Sequence, residues 1–222
     1  MAQPTGRASR RSQRERKPRE ERWTELLEVA TRVFYEKGYE AASLRDIADR
    51  MGMLKGSLYY YIESKDDLLF EVITAVHQRG LDVIRPLASG TGSPLVRLER
   101  VVRGHVEHTC HNLISTTVFL HELGVLSKER QRIVLGEHSY QDVFRGLIAE
   151  ALDAGEVRSE VDPRLAALSI LGSANWVYRW FRPDGRDSAH TVGAKFADMA
   201  VRGIASDAGS RALTGAAGQL EP

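Results

Sequence analysis

The 222-residue sequence contains a single cysteine and no long apolar run. That cysteine, Cys110, cannot form an internal disulfide, and the chain therefore has no Cys-x-x-Cys metal site. Every unbroken apolar run falls far short of the roughly 20 residues that cross a bilayer as a helix. The N-terminus is rich in arginine with no apolar stretch behind it, so it lacks the pattern of a secretory signal. These absences predict a cytoplasmic protein without a membrane segment.

The short motifs of common enzyme classes are absent as well. The sequence has no GxSxG, no P-loop, no HExxH, and no GxGxxG after a strand pattern. A helical hydrolase would need a nucleophile beside a base, and the spacing of its histidines and cysteine does not supply that pair. We therefore predict that the protein is not an enzyme and uses no cofactor.

Charge is unevenly distributed, although the net charge is only +1. Residues 1–22 carry eight basic and three acidic side chains, a local excess of +5, so the remaining residues sum to −4. A basic segment without apolar residues is disordered on its own. Beside a DNA-binding element it can lie along phosphates or enter a minor groove; elsewhere it is a solvated tail. Both interpretations remain open for this arm, residues 1–18.

Hydrophobic periodicity predicts helices along almost the whole chain, so the expected fold class is all-α. The first helix covers residues 23–37 and ends at Gly38. Ser43, followed three residues later by Asp46, resembles a capping box and begins a short second helix. A tight turn at Gly52 leads to a third short helix, from Lys55 to about residue 62. Two short helices joined by a glycine-containing turn are typical of a helix-turn-helix.

The stretch KGSLYYYIESKDDLL places three tyrosines in a row on the third helix. Adjacent positions of a helix point about 100° apart, so the three rings cannot all face one core. If Leu58 faces the core, Tyr59 and Tyr60 point outward with Lys55. Phenol hydroxyls and an ammonium suit a groove of phosphates and base edges. For Tyr61 we favour packing against neighbouring helices.

The segment GYEAASLRDIADRMGMLKGSLYYYIESKDDLL resembles the DNA-binding domain of TetR-family transcriptional regulators in order, spacing and element lengths. The resemblance implies a homodimer whose three N-terminal helices bind a near-palindromic operator, while further helices hold an effector and the dimer interface. Leu54 stands where the family often has a serine cap. The residues that it places at the DNA are Arg45, Lys55, Gly56, Ser57, Tyr59, Tyr60 and Lys65.

The implied domains are a helix-turn-helix domain at 19–63, an effector-binding and dimerisation domain at 64–206, and a disordered tail at 207–222. Beyond the first domain we expect helices at about 64–87, 94–112, 113–123, 128–154, 163–182 and 190–204. Small residues alternate with larger apolar ones in the last two helices, which makes this pair the candidate dimer interface. An internal hairpin is the alternative. The stripes are Ala166, Ile170 and Ala174, then Val192, Phe196, Met199 and Gly203.

Two clusters have side chains that could bind a ligand. Histidines recur at every third residue from His105 through His108 to His111, beside Cys110, and such spacing can share a metal. The metal-responsive alternative uses His105, His108 and Cys110. We favour polar lining of an effector cavity, or a surface position, with no metal bound. In the second cluster, NWVYRWFRPDG, Arg179 lies between two indoles at helical spacing, which allows a cation-π stack.

The Trp-rich end of the penultimate helix is similar to a TetR branch associated with fatty-acid and sterol catabolism, some of whose members release DNA on binding acyl-CoA. The resemblance implies a ligand-responsive repressor whose effector is an acyl-CoA or another hydrophobic acid. It implies Arg179 or Arg182 as the partner of a CoA phosphate or carboxylate, and we choose Arg179 as the anionic contact. The predicted effector-binding residues are His108, Phe119, Asn175, Trp176, Arg179 and Trp180.

Overall fold

The computed structural model describes residues 18–136 and 139–217. These residues form an all-α structure without β-strands, which confirms the predicted fold class. The basic arm therefore lies outside the described residues, except for Pro18. The helices are α1 (Arg19–Ala41), α2 (Leu44–Arg50), α3 (Lys55–Leu58), α4 (Lys65–Ala88), α5 (Pro94–His111), α6 (Leu113–Glu122), α7 (Lys128–Leu135), α8 (Tyr140–Asp153), α9 (Pro163–Trp180), α10 (Ala189–Arg202) and α11 (Asp207–Ala217).

The second helix begins where its local sequence signal predicts, whereas α1 begins at Arg19, before the predicted start at residue 23, and continues to Ala41 beyond the predicted end. Gly38 adopts φ +73°, a backbone conformation that favours glycine, and it interrupts the helical geometry of α1. At the start of α2 the Ser43 N–H donates to Asp46 Oδ2 at 2.9 Å, and the Asp46 N–H donates to Ser43 Oγ at 3.2 Å. This reciprocal pair is the predicted capping box.

The third helix is shorter than predicted, because α3 ends at Leu58 and the chain continues through turns. Its cap residue, Leu54, is 82% exposed and offers no side-chain hydrogen bond to the helix start. After Leu58 the backbone forms i→i+3 turns, because the Tyr60 N–H donates to the Ser57 carbonyl at 3.4 Å and the Tyr61 N–H to the Leu58 carbonyl at 2.8 Å. Leu58 and Ile62 are nevertheless buried, as the periodicity predicts.

The core of the helix-turn-helix region extends into the following domain. Leu68 and Ile73 of α4 pack in the same apolar cluster as Phe34 of α1 and Ile47 of α2. Val118 of α6 belongs to this cluster as well. The DNA-binding helices are therefore packed directly on the helices that follow them.

The remaining helices pack around α5, which contacts α4, α8, α9 and α10. The predicted single helix at 128–154 is wrong, because α7 and α8 are separate helices on either side of residues 136–139. A second capping box begins α8, where the Asp142 carboxylate accepts from the Ser139 hydroxyl at 3.0 Å and from its N–H at 3.3 Å. None of the helices within 18–136 and 139–217 combines the length and low charge of a bilayer span.

The two helices predicted to form the dimer interface, α9 and α10, turn part of each predicted stripe toward the core of the subunit itself. Ile170, Ala174 and Val192 are buried inside the subunit, because α9 and α10 both pack on α5 through them. The face of α9 opposite these residues carries exposed apolar side chains, which are Leu165, Leu168, Trp176 and Trp180. On α10, Met199 of the predicted stripe is exposed as well.

The predicted disorder of the tail is wrong for residues 207–217, which form α11; residues 218–222 lie outside the described ranges. Ser206 anchors the segment, since its N–H donates to the Glu156 carbonyl at 2.9 Å and its hydroxyl to the Gly155 carbonyl at 2.7 Å. The Ser206 hydroxyl also accepts from the Gly209 N–H at 3.1 Å, so it caps α11. Leu213 then packs against the C-terminal core.

Candidate functional site

A continuous exposed surface covers α2, α3 and the turn after α3. Lys55, Gly56 and Ser57 are exposed at the start of α3. A Cβ added at Gly56 would meet no atom within 4 Å, so the backbone there is open to a close approach from outside. Arg45 on α2 has an 82% exposed side chain, and its ion pair with Asp49 is a loose 3.7 Å. These groups are free to contact phosphates or bases.

The three tyrosines separate as predicted into two outward rings and one packed ring. Tyr59 is 52% exposed and Tyr60 is 73% exposed. Tyr61 is partly buried and stacks on Trp23 with ring centroids 6.5 Å apart. The Arg19 guanidinium lies 5.6 Å from the centre of the Tyr60 ring, a cation-π distance. Tyr59 and Tyr60 therefore extend the exposed surface of α3.

Lys65, which the resemblance places at the DNA backbone, is used inside the protein. Its ammonium donates to the carbonyls of Tyr39 at 2.9 Å, Glu40 at 3.3 Å and Ala42 at 3.1 Å, and lies 4.2 Å from the Tyr39 ring centre. These carbonyls satisfy all three donors of the ammonium. The same contacts explain why the Lys65 ammonium is stable in the first turn of α4 without a bound phosphate. We therefore remove Lys65 from the predicted set of DNA-contacting residues.

Five side chains connect the helix-turn-helix region to the following helices, and we call them the domain junction: Tyr39, Asp66, Asp67, Glu122 and Arg130. The Tyr39 hydroxyl donates to Asp66, and the Tyr39 N–H donates to Glu122 Oε1 at 3.1 Å. Arg130 of α7 pairs with Asp67. Hydrogen bonds from Ser64 and from Arg130 lower the pKa of Asp67, so this carboxylate is ionised at neutral pH.

A cavity of about 220 Å³ lies in the second domain, between α4, α5, α6, α9 and the region where α7 gives way to α8. Within the described residues, none of its lining side chains is Asp, Glu, Lys or Arg. The lining residues are Val76, His77, His105, His108, Thr109, Thr116, Phe119, Leu120, Leu135, Ser139, Tyr140, Gln141, Leu171 and Asn175.

The structure brings together three of the six residues predicted for the effector, since His108, Phe119 and Asn175 line the cavity. The other three, Trp176, Arg179 and Trp180, are exposed and do not line the cavity. The reason is that Ala174 and Val177 turn inward to pack against α5, which points the two indoles outward. The predicted stack of Arg179 on the indoles is not among the cation-π contacts found in the described part of the chain.

Sequence reasoning missed His77 and Tyr140, which form the centre of the cavity wall. The His77 ring stacks on Phe119 at 5.5 Å and meets the edge of Tyr140 at 5.3 Å. The signal for His77 was available, because it is a lone histidine on the apolar face of α4, between Val76 and Leu81. Tyr140 gave no comparable signal, since the predicted single helix at 128–154 concealed the turn that presents it.

The histidines of the cavity are uncharged at neutral pH. Burial lowers the pKa of His77 to about 4 and that of His105 to about 4, and it lowers the pKa of His108. His105 Nε2 lies 2.9 Å from Asn175 Oδ1, an atom that only accepts, so Nε2 carries the proton. Both ring nitrogens of His77 are buried, and neither has a hydrogen-bond partner among the residues that the structure describes.

Comparison with known families decides what kind of protein combines this surface with this cavity. The family profile described as "Bacterial regulatory proteins, tetR family" matches residues 26–72. The profile "Tetracyclin repressor-like, C-terminal domain" matches residues 91–204, which is more than half of the chain. The chain belongs to the TetR family. It is a DNA-binding transcriptional regulator and not an enzyme, as the sequence predicts.

Individual relatives cover nearly the whole length of this TetR-family regulator. The transcriptional repressor KstR2 of Rhodococcus jostii is 27% identical over 187 residues, 83% of this chain and 92% of that protein. A TetR/AcrR-family regulator of Thermobifida fusca is 38% identical, with a TM-score of 0.65 over 82% of this chain and 98% of its own. AibR, solved with isovaleryl coenzyme A and operator DNA, is 29% identical, with a TM-score of 0.68 over 82% and 97%.

The metal-responsive alternative for this TetR-family regulator is not favoured. His105 is bonded to Asn175, and Cys110 packs in a separate apolar cluster with Val106 and Val177. Burial raises the pKa of the Cys110 thiol to about 11, which disfavours the thiolate that a metal would bind. No group of three or more potential ligands is arranged for a metal ion within residues 18–136 and 139–217.

Gly80→Ala should disturb the cavity wall of this regulator. An added Cβ would lie 1.5 Å from the Tyr140 hydroxyl oxygen and 2.7 Å from its Cζ, so the ring would have to move. We expect a loss of about 1–2 kcal/mol in the free energy of unfolding, since overpacking outweighs the better helix propensity of alanine. Urea denaturation measures this loss in the free energy of unfolding.

The matched control is Gly146→Ala on α8, where an added Cβ meets no atom within 4 Å. This change should raise the free energy of unfolding by up to about 1 kcal/mol, from helix propensity alone. Equal effects of the two substitutions would contradict the role of Gly80 in seating Tyr140.

Proposed function

We propose that this regulator is a cytoplasmic homodimeric repressor that an acyl-CoA, or a comparable hydrophobic effector, releases from a near-palindromic operator. The observation that carries the proposal is the uncharged, largely apolar cavity, which shares two helices with the domain junction. The similarity to the repressor KstR2 supports repression, and the similarity to AibR, solved with isovaleryl coenzyme A and operator DNA, supports a CoA-linked effector.

The operator interface that we propose consists of the exposed residues of α2, α3 and the following turn. Their ammonium, guanidinium and phenol groups suit phosphate contacts and base edges in a major groove. Lys65 is left out of the set because its donors are occupied. The interface residues are Arg45, Lys55, Gly56, Ser57, Tyr59 and Tyr60.

The connection between cavity and operator runs through α6 and α7. The first of these helices contributes Phe119 to the cavity and Glu122 to the domain junction. The second contributes Leu135 to the cavity and Arg130 to the junction. A ligand that repositions both helices changes the contacts of Tyr39 and Asp67, and thereby the seating of the DNA-binding helices. Only a ligand with different affinities for the two arrangements shifts their equilibrium.

The dimer that we propose forms through the outward faces of α9 and α10. Isolated apolar side chains are common on protein surfaces, but a contiguous group with two indoles marks an interaction site. A second copy of the chain is the occupant that a near-palindromic operator requires, because each half-site needs its own helix-turn-helix.

The proposal is tested by a titration of the protein on an operator selected from random DNA. Fluorescence anisotropy should show tight binding to a near-palindrome and release by valeryl-CoA or palmitoyl-CoA at constant salt. By linkage, the operator should weaken CoA binding by the same factor. Release by zinc alone would instead support the metal-responsive alternative with His105, His108 and Cys110, and no release by any CoA ester would contradict the acyl-CoA proposal.

A further inference from the structure

The cavity contains buried polar groups that the fold itself does not use. His77 is 7% exposed, and both of its ring nitrogens lack a hydrogen-bond partner among the described residues. A neutral imidazole has one N–H donor and one lone pair. Leaving such groups buried and unpaired is unfavourable, so an unpaired ring in a cavity wall indicates that something else pairs with it.

Asn175 provides a second neutral donor in the same wall. Its Oδ1 already accepts a hydrogen bond from the His105 Nε2–H at 2.9 Å. The amide N–H₂ group is the part of the Asn175 side chain that can donate to a ligand. His105 is buried and fixed between its edge contacts with Tyr140 and Phe144, so it acts as a positioning residue that orients the Asn175 amide.

The described lining of the cavity carries no charged side chain that could pair with an anion. Within residues 18–136 and 139–217, its lining carries no lysine or arginine, and burial holds its histidines in the neutral form. A carboxylate that entered would lose its hydration without gaining a charged partner, which is unfavourable. A carbonyl oxygen needs only neutral donors, and those are what the wall offers.

The volume limits what can enter with the carbonyl. The cavity of about 220 Å³ lies below the roughly 300–1,000 Å³ of ordinary small-molecule sites. It therefore suits a thioester with a short acyl chain better than one with a long chain. The remainder of a CoA molecule must lie outside.

We propose that the cavity selects the thioester end of a short, uncharged acyl-CoA, with the His77 N–H and the Asn175 amide donating to its carbonyl oxygen. The inference rests on the proposed function and narrows it, because it assigns the selectivity to named donors and excludes acyl chains that carry a carboxylate. The aromatic rings of Phe119 and Tyr140 hold the His77 ring in place on either side.

The test is a calorimetric comparison of CoA derivatives that differ only within the cavity. Valeryl-CoA should bind most tightly. Pentyl-CoA, the thioether without the carbonyl, should bind about 5- to 30-fold more weakly for the loss of one or two hydrogen bonds. Glutaryl-CoA, with a terminal carboxylate on a chain of equal length, should bind at least about 100-fold more weakly. Palmitoyl-CoA should bind more weakly than valeryl-CoA because its chain exceeds the cavity.

The His77→Phe variant separates the carbonyl contact from the shape of the site. Phenylalanine retains a flat ring against Phe119 but has no donor, so the preference for valeryl-CoA over pentyl-CoA should fall markedly. His111→Phe is the matched control, because His111 is an exposed histidine of α5 outside the cavity lining, and its variant should keep the preference. If His77→Phe fails to fold, the comparison of the four ligands on the wild-type protein still tests the inference.

Equal binding of valeryl-CoA and pentyl-CoA, or of valeryl-CoA and glutaryl-CoA, would overturn the inference. Release of the operator by palmitoyl-CoA but not by valeryl-CoA would also overturn it while leaving the acyl-CoA-responsive repressor intact. If no CoA ester binds at all, both the inference and the proposed effector class are wrong.

Discussion

Tyr59→Ala should abolish operator binding while leaving the fold and the dimer intact. The ring is half exposed on the surface of α3, so its loss removes no core packing. A hydrogen bond to a charged phosphate contributes about 1.5–3 kcal/mol, and a dimer loses two of them, which weakens binding by roughly 10²- to 10⁴-fold. Anisotropy with labelled operator at fixed salt measures the effect.

Tyr35→Ala is the control for that experiment, because Tyr35 is an exposed tyrosine of α1 that lies outside α2 and α3. The operator affinity of the Tyr35→Ala variant should stay within a few-fold of the wild-type affinity. Tyr59→Phe distinguishes the hydroxyl from the ring. Wild-type affinity of Tyr59→Ala would remove this residue from the interface.

Trp176→Glu should convert the proposed dimer into a folded monomer. The side chain is 58% exposed in the isolated subunit and lies beside Trp180 on the outward face of α9. A carboxylate there would be buried against the partner without a counter-charge, which costs several kcal/mol per protomer, and the symmetry of the interface doubles that cost. Sedimentation equilibrium gives the mass, and operator affinity should fall with the loss of the second half-site.

Ile133→Glu provides the matched control, since Ile133 is an equally exposed apolar side chain on α7. This variant should remain a dimer. If both variants remain dimers, the interface lies on another surface; if both become monomers, the effect is a general consequence of the added charge.

The DNA-binding region could be predicted in detail because its signals are local. The capping box of Ser43 and Asp46 and the glycine at position 38 specify helix ends through interactions within a few residues. Helix bounds in this region are less well predicted. Helix α1 begins before the predicted start, and α3 ends at Leu58, where i→i+3 turns follow that periodicity alone does not report.

The cavity was less predictable because it depends on which face of each helix turns inward. Trp176 and Trp180 belong to an apolar stripe that suits a ligand pocket as well as a subunit surface, and only packing of α9 on α5 decides between them. The uncharged wall could not be foreseen either, because His77 and Asn175 come from helices that are far apart in sequence.

The contacts of Lys65 also determine how far the DNA-binding surface moves. Because its ammonium joins the first turn of α4 to the carbonyls at the end of α1, the helix-turn-helix region must follow α4 as one rigid body. With 24 residues, α4 is about 36 Å long, so a tilt of about 5° about its far end displaces its first turn by about 3 Å. That displacement approaches the rise of one base pair, about 3.4 Å. In the proposed dimer, a rotation of a few degrees is thus enough to put each α3 out of register with its half-site.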